Sequence, residues 1–180
     1  LLPAILLNII KQSYRNLWKL ETIMRRKDRE ITDIRTITAI LDRCKTACIA
    51  MTDGNLPYVV PLSYGYEIEE YTLILYFHCA REGRKLDILK SNNNVCFTIF
   101  DEGEPLHADT PCNSGYYYSS IIGSGAVTFV EDAADKRYAL NKMFAQQTGR
   151  NVPFTDAQAD CVCIFKITSK DYTGKQKVKT

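Results

Sequence analysis

Residues 46–68 read TACIAMTDGNLPYVVPLSYGYEI. Thr46–Thr52 is a run of apolar and β-branched residues, Asp53-Gly54-Asn55 is turn chemistry, and 57–68 returns to Val, Leu and Tyr. The segment therefore predicts two strands joined by a tight turn. Pro57 and Pro61 cannot donate ladder hydrogen bonds, so the second strand is expected at an edge, bulged, or turned toward a ligand. YTLILYFHC, residues 71–79, adds a third strand and makes the region a meander.

Working outward, Ile34, Ile37, Ile40, Leu41 and Cys44 recur at helical spacing behind Thr32 and Asp33, either of which suits an N-cap. Downstream, a short helix is predicted over 84–91 and a strand over 94–101. A loop with two prolines and Gly103 follows, then a long strand over 116–130. The next segment, DAADKRYALNKMFAQQTG, offers Tyr138, Leu140, Met143 and Phe144 as an apolar helix face and Gly149 as a left-handed stop. CVCIFKITS, residues 161–169, supplies the last strand. The expectation is a mainly β, α+β fold, with six strands, mostly antiparallel, forming a small barrel with helical additions. No internal repeat or low-complexity linker divides it.

Composition narrows the function. With 46% hydrophobic and 24% charged residues the chain is an ordinary globular protein, and a net charge of +2 gives no global drive toward nucleic acid or an acidic membrane. Seven cysteines, five of them (Cys48, Cys79, Cys96, Cys161, Cys163) within apolar runs, predict reduced core residues in a cytoplasmic protein rather than a disulfide framework. Cys161 and Cys163 are expected on one side of a strand, without the spacing of a metal site. LLPAILLNII at the start is too short to span a bilayer and lacks the flanks of a signal peptide. Met24 reads as a natural start, so residues 1–23 are expected to be an added, possible helical extension before a single domain over 24–180.

The stretch FHCAREGRKLDILKSN, residues 77–92, ends a strand and opens a helix with Gly83-Arg84-Lys85. Free amides at a helix start together with two cations suit a phosphate. Other phosphate devices are missing: there is no GxxxxGK[ST], and Gly123-Ser124-Gly125 lacks the third glycine of a dinucleotide fingerprint. Serine hydrolase chemistry lacks GxSxG, and His78 and Cys79, adjacent in a strand, point to opposite faces.

Three motifs in order carry a resemblance: CIAMTDGNLPYVVPLSYGYE, LYFHCAREGRKLDILKSNNNVCF, and YYYSSIIGSGAV ahead of a helix. Over roughly Met24 to Lys170 the chain resembles the pyridoxamine 5′-phosphate oxidase-like split-barrel flavoproteins, and closely their nitroimidazole-resistance branch. The resemblance implies a six-stranded split barrel with FMN, or FAD in its place. It implies that Val59, Val60, Pro61, Leu62 and Ser63 lie along the isoalloxazine, that His78, Cys79, Arg84 and Lys85 hold the ribityl phosphate end, and that Ser120 and Ile121 reach the flavin across a homodimer interface. It further implies His78 as a catalytic proton donor in a reductase acting on a small acceptor such as a 5-nitroimidazole, with neither nucleic acid nor membrane as partner. A flavin- or haem-binding carrier or sensor on the same barrel is the alternative. Gly83 stands where the oxidases proper carry Ser, and no basic cluster for a pyridoxal phosphate product is found, which argues against vitamin B6 oxidase activity.

Overall fold

The computed structural model describes residues 24–179. The expectation for residues 1–23 lies outside the described residues. The chain divides into two units, residues 1–30 and 31–180. In the described part of the first, a single 3₁₀ turn covers Lys27–Arg29, and Arg26 grips the Asp28 carboxylate at 2.6 and 2.8 Å.

The second unit carries the functional geometry. Its elements are α1 (Ile34–Arg43), β2 (Thr46–Asp53), β3 (Leu56–Ser63), β4 (Gly65–Glu69), β5 (Thr72–Cys79), α2 (Arg84–Ser91), β6 (Asn94–Leu106), β7 (Gly115–Phe129), α3 (Ala133–Thr148), α4 (Asp156–Asp160) and β8 (Cys163–Lys177); the two-residue β1 (Glu30–Ile31) precedes them. Among the described residues eight strands stand where six were expected, and seven follow one path, β3-β2-β6-β7-β8-β5-β4, in which every neighbouring pair is antiparallel. The two ends of that path, β3 and β4, are consecutive in the chain and joined through Tyr64 alone. The sheet thus curls back on itself with its end strands unpaired to each other, a split barrel. β3, with Pro57 and Pro61, is an edge as expected.

Residues 57–68 form two strands rather than one. The break is tertiary: Tyr64 turns fully inward and its hydroxyl donates to the carbonyls of Leu41 and Cys44, at 2.7 and 3.1 Å, where α1 ends. The next residue has no room for a side chain, since a Cβ on Gly65 would lie 2.4 Å from the Met143 backbone nitrogen.

The barrel interior is one apolar cluster drawn from α1, α2 and the inward faces of the strands, including Ile37, Leu41, Ile49, Phe77, Leu89, Phe97, Ile121 and Phe165. A second cluster lies outside it, where Ala139, Leu140 and Met143 of α3 and Ala159 of α4 cover Ile74, Tyr76 and Ile164 of β5 and β8. This cover buries β5 on both faces and explains its unbroken apolar sequence. Of the residues expected on the apolar face of α3, Leu140 and Met143 are buried, Phe144 is half-buried, and Tyr138 is exposed, its hydroxyl donating to Glu67.

Helix starts follow local chemistry: the Asp33 carboxylate accepts from the Thr36 amide at 3.0 Å, and Gly149 adopts φ 71° at the end of α3. α4 was not expected; Thr155 and Gln158 form a capping box that starts it. Cys161 closes that helix and its thiol donates to the Ala157 carbonyl, so the last strand begins at Cys163 and not at Cys161. Nor are the cysteines mostly core residues, since only Cys44 is buried while Cys96, Cys112 and Cys161 are exposed.

Candidate functional site

Antiparallel register aligns the outward side chains of five strands into rows. One row runs Pro61, Cys48, Thr98, Ile122, Thr173; the next runs Val59, Ala50, Cys96, Ser124, Asp171. Phe100, Ser120 and Lys175 form part of a third. Val59, Phe100 and Ile122 are 56%, 51% and 51% exposed, so this is an open, partly apolar sheet face.

The expected flavin-facing residues divide between the two faces of β3. Val59, Pro61 and Ser63 point out to the open face, whereas Val60 and Leu62 point inward and pack on the barrel core. Period-two alternation requires this division. On β7, Ser120 is half-buried on the open face, with its hydroxyl 3.5 Å from the Lys175 carbonyl. Ile121 lies on the opposite side, fully buried in this chain's own core, so its side chain does not reach outward; Ile122 does. The Ile121 side chain expected at the flavin thus lies on the core side of β7, and Ile122 is its outward neighbour.

The second part of the site is the start of α2. Gly83 is its N-cap with φ 125° and ψ 162°, no side chain caps it, and a Cβ there would meet nothing within 4 Å. The dihedral demands glycine while the space beside it stays open; the Leu86 amide donates to the Gly83 carbonyl at 2.9 Å, while those of Arg84 and Lys85 have no intrahelical acceptor. Arg84 donates from Nε and Nη2 to one oxygen of Asp53, at 3.1 and 3.0 Å, and its guanidinium carbon sits 4.6 Å from the centre of the Tyr58 ring. Lys85 makes no hydrogen bond or ion pair among the described residues. Asp53 and Tyr58 were not foreseen as part of the site. They tie the helix start to the β2–β3 hairpin, one residue from the outward Val59.

His78 and Cys79 end β5 on opposite faces. His78 is exposed, on the side that carries Ile74 and Tyr76, and it pairs in register with Ile164. Desolvation holds its imidazole below the usual histidine range, and the charge of Lys85 adds to this. Cys79 is half-buried against the barrel core and opposite Cys163, so its side chain is turned from the surface. Among the described residues no group of three or more His, Cys, Asp or Glu is gathered for a metal ion, and no helix is long and apolar enough to cross a membrane.

Comparison with known proteins agrees with this architecture. The family model described as pyridoxamine 5′-phosphate oxidase matches residues 33–176. A crystal structure from Bacteroides thetaiotaomicron, described as a candidate 5-nitroimidazole antibiotic resistance protein, is 30% identical, with 82% of this chain and 86% of that chain covered and a TM-score of 0.71. A FAD and heme binding protein from Mycobacterium smegmatis has a TM-score of 0.72 at 15% identity, covering 84% of this chain and 74% of that one. The flavocytochrome Anf3 from Azotobacter vinelandii has a TM-score of 0.71 at 19% identity, covering 87% and 73%. At these identities the last two share the fold alone. No curated protein matches. With the family model spanning the barrel from the cap of α1 nearly to the end of β8, the chain belongs to the pyridoxamine 5′-phosphate oxidase family.

Proposed function

We propose that this protein binds a flavin, FMN or FAD, and uses it to reduce a small acceptor, with a nitroaromatic of the 5-nitroimidazole type as the candidate substrate. The observation that carries the reading is an uncapped, cationic helix start held against the β2–β3 hairpin by Arg84 on Tyr58 and Asp53, at the end of a strand, β3, whose other face presents Val59 and Pro61 openly. The residues present fit such a group: an anion-accepting corner at Gly83–Lys85 and a flat apolar strip at Val59 and Pro61. The 30% identical Bacteroides protein supports the acceptor class.

When bound, the flavin supplies the electron transfer. This chain's residues do the rest. Lys85, Arg84 and the free amides at the start of α2 would hold the phosphate end. Val59 and Pro61 would line the ring. Ser120 borders the same face. Burial, with the charge of Lys85, holds the His78 imidazole below the usual histidine range, so it would give up a proton readily once protonated.

The reading extends to a homodimer in which the open faces of two chains enclose two equivalent sites. One barrel covers a single side of a flat ring, and a two-fold axis would bury Phe100 and Ile122 of both copies with one patch. A cytoplasmic location fits seven cysteines that are all free. The test is turnover: flavin-loaded protein given NAD(P)H and a nitroaromatic should reduce the nitro group catalytically. A loaded protein that never turns over would favour the carrier or sensor reading instead.

A further inference from the structure

Of the seven cysteines, one pair is directly opposed across the sheet. Cys79 is the last residue of β5 and Cys163 the first of β8, and the two are register partners. Cys48 and Cys96 have no cysteine opposite them, and Cys44, Cys112 and Cys161 lie outside strands. Directly opposed residues of an antiparallel pair have Cα atoms about 4.5 to 5.5 Å apart, which lies inside the roughly 4.4 to 6.8 Å that a disulfide bridges. Both thiols are free and half-buried.

We propose that Cys79 and Cys163 are a redox-active dithiol, a covalent modification site that peroxide closes to a disulfide and a thiol reductant reopens. The inference is independent of the flavin reading.

Two steps balance the chemistry. The thiolate of one cysteine attacks a peroxide oxygen, the O–O bond breaks, hydroxide leaves, and the sulfur becomes a sulfenic acid. The opposed cysteine sulfur, giving up its proton, then attacks that sulfur, the S–O bond breaks, and the second oxygen departs as water. Two thiols and one hydrogen peroxide give one disulfide and two waters. Exchange with an external dithiol reverses it through a mixed disulfide. Burial raises both thiols above the ordinary cysteine range. Closure is therefore slow at neutral pH and accelerates as pH rises. The bond would join β5 to β8 immediately before the Ala80–Gly83 loop that leads into α2.

The experiment treats the full chain with hydrogen peroxide, blocks remaining thiols with iodoacetamide, and maps non-reduced peptides by mass spectrometry. The expected result is a Cys79–Cys163 cross-linked peptide pair, lighter by about 2 Da than the sum of its thiols and separated again by dithiothreitol. Cys79→Ser and Cys163→Ser should each abolish it, leaving Cys48 and Cys96 alkylated as before. Should either variant fail to fold, the wild-type map decides alone. Alkylation of both Cys79 and Cys163 after peroxide at raised pH, or their oxidation to sulfinic acids without a cross-link, would overturn the proposal.

Discussion

Replacing Lys85 by Ala should weaken FMN binding strongly while leaving riboflavin binding nearly unchanged. Lys85 stands unpaired at the open start of α2, so its charge is uncommitted, whereas Arg84 already donates twice to Asp53. A hydrogen bond to a charged group contributes about 1.5 to 3 kcal/mol, and each 1.4 kcal/mol is about tenfold in affinity. Lys85→Ala should therefore cost roughly 10- to 100-fold in FMN affinity. Arg84→Ala should cost at least as much, because it also leaves the Asp53 carboxylate beside a dianionic phosphate. Asp53→Asn works in the opposite direction: an exposed pair is worth about 0–1 kcal/mol, so releasing Arg84 should tighten FMN binding by up to about fivefold. The assay is quenching of flavin fluorescence, at low and high salt, with riboflavin as the ligand that lacks phosphate. Wild-type affinity for FMN in Lys85→Ala, or equal losses for FMN and riboflavin, would refute the assignment of the phosphate to α2.

His78→Gln should retain flavin and slow nitroaromatic reduction by about 100-fold, the usual scale of a positioned proton donor, as single-turnover kinetics would show. His78 also imposes a pH dependence on stability: its folded-state affinity for protons lies below the ordinary value of 6.5, so the unfolded chain binds more protons, and stability falls as pH drops from 6.5 toward the lowered value, a slope that denaturant titrations should find reduced in His78→Gln. Gly65→Ala should destabilise the fold by about 3 kcal/mol or more, measured by urea unfolding, since its Cβ would strike Met143 and Lys142 backbone at 2.4 to 2.7 Å and α3 cannot yield locally. Ile122→Asp should give a monomer in sedimentation without loss of folding, whereas a dimer as tight as wild type would place the interface elsewhere.

Much of this fold could be read from local chemistry. Asp53-Gly54-Asn55 between two β-rich runs fixed the β2–β3 hairpin, and Gly83 ahead of RKLDILKS fixed α2 at its observed start. Where the reading failed, the deciding contacts lay far off in sequence. Tyr64 breaks a continuous strand pattern because two carbonyls of α1 receive its hydroxyl, which no neighbouring residue reveals. β8 continues through Asp171–Lys177, a stretch that reads as a charged tail, because β7 supplies partners from Ser124 to Tyr118. β6 runs past Gly103 and Pro105 to Leu106, with a register shift that leaves Gly103 and Glu104 without partners before Pro105 pairs again with Tyr116. In the candidate site, Gly83, Arg84 and Lys85 stand at the helix start that their types and spacing point to. Asp53 reads from sequence as a turn residue only, because its partner Arg84 lies 31 residues away, and the burial of Ile121 depends on strand partners that the resemblance does not specify.

The central claim is that a flavin occupies the open sheet face with its phosphate at Gly83–Lys85. The most direct measurement is the visible spectrum of the protein after incubation with excess FMN or FAD and removal of free ligand by gel filtration. One flavin per chain, lost together with Lys85 and Arg84 in the double Ala variant, is the predicted result. A protein that emerges colourless from both flavins, or that takes up haem alone and shows a Soret band, would contradict it.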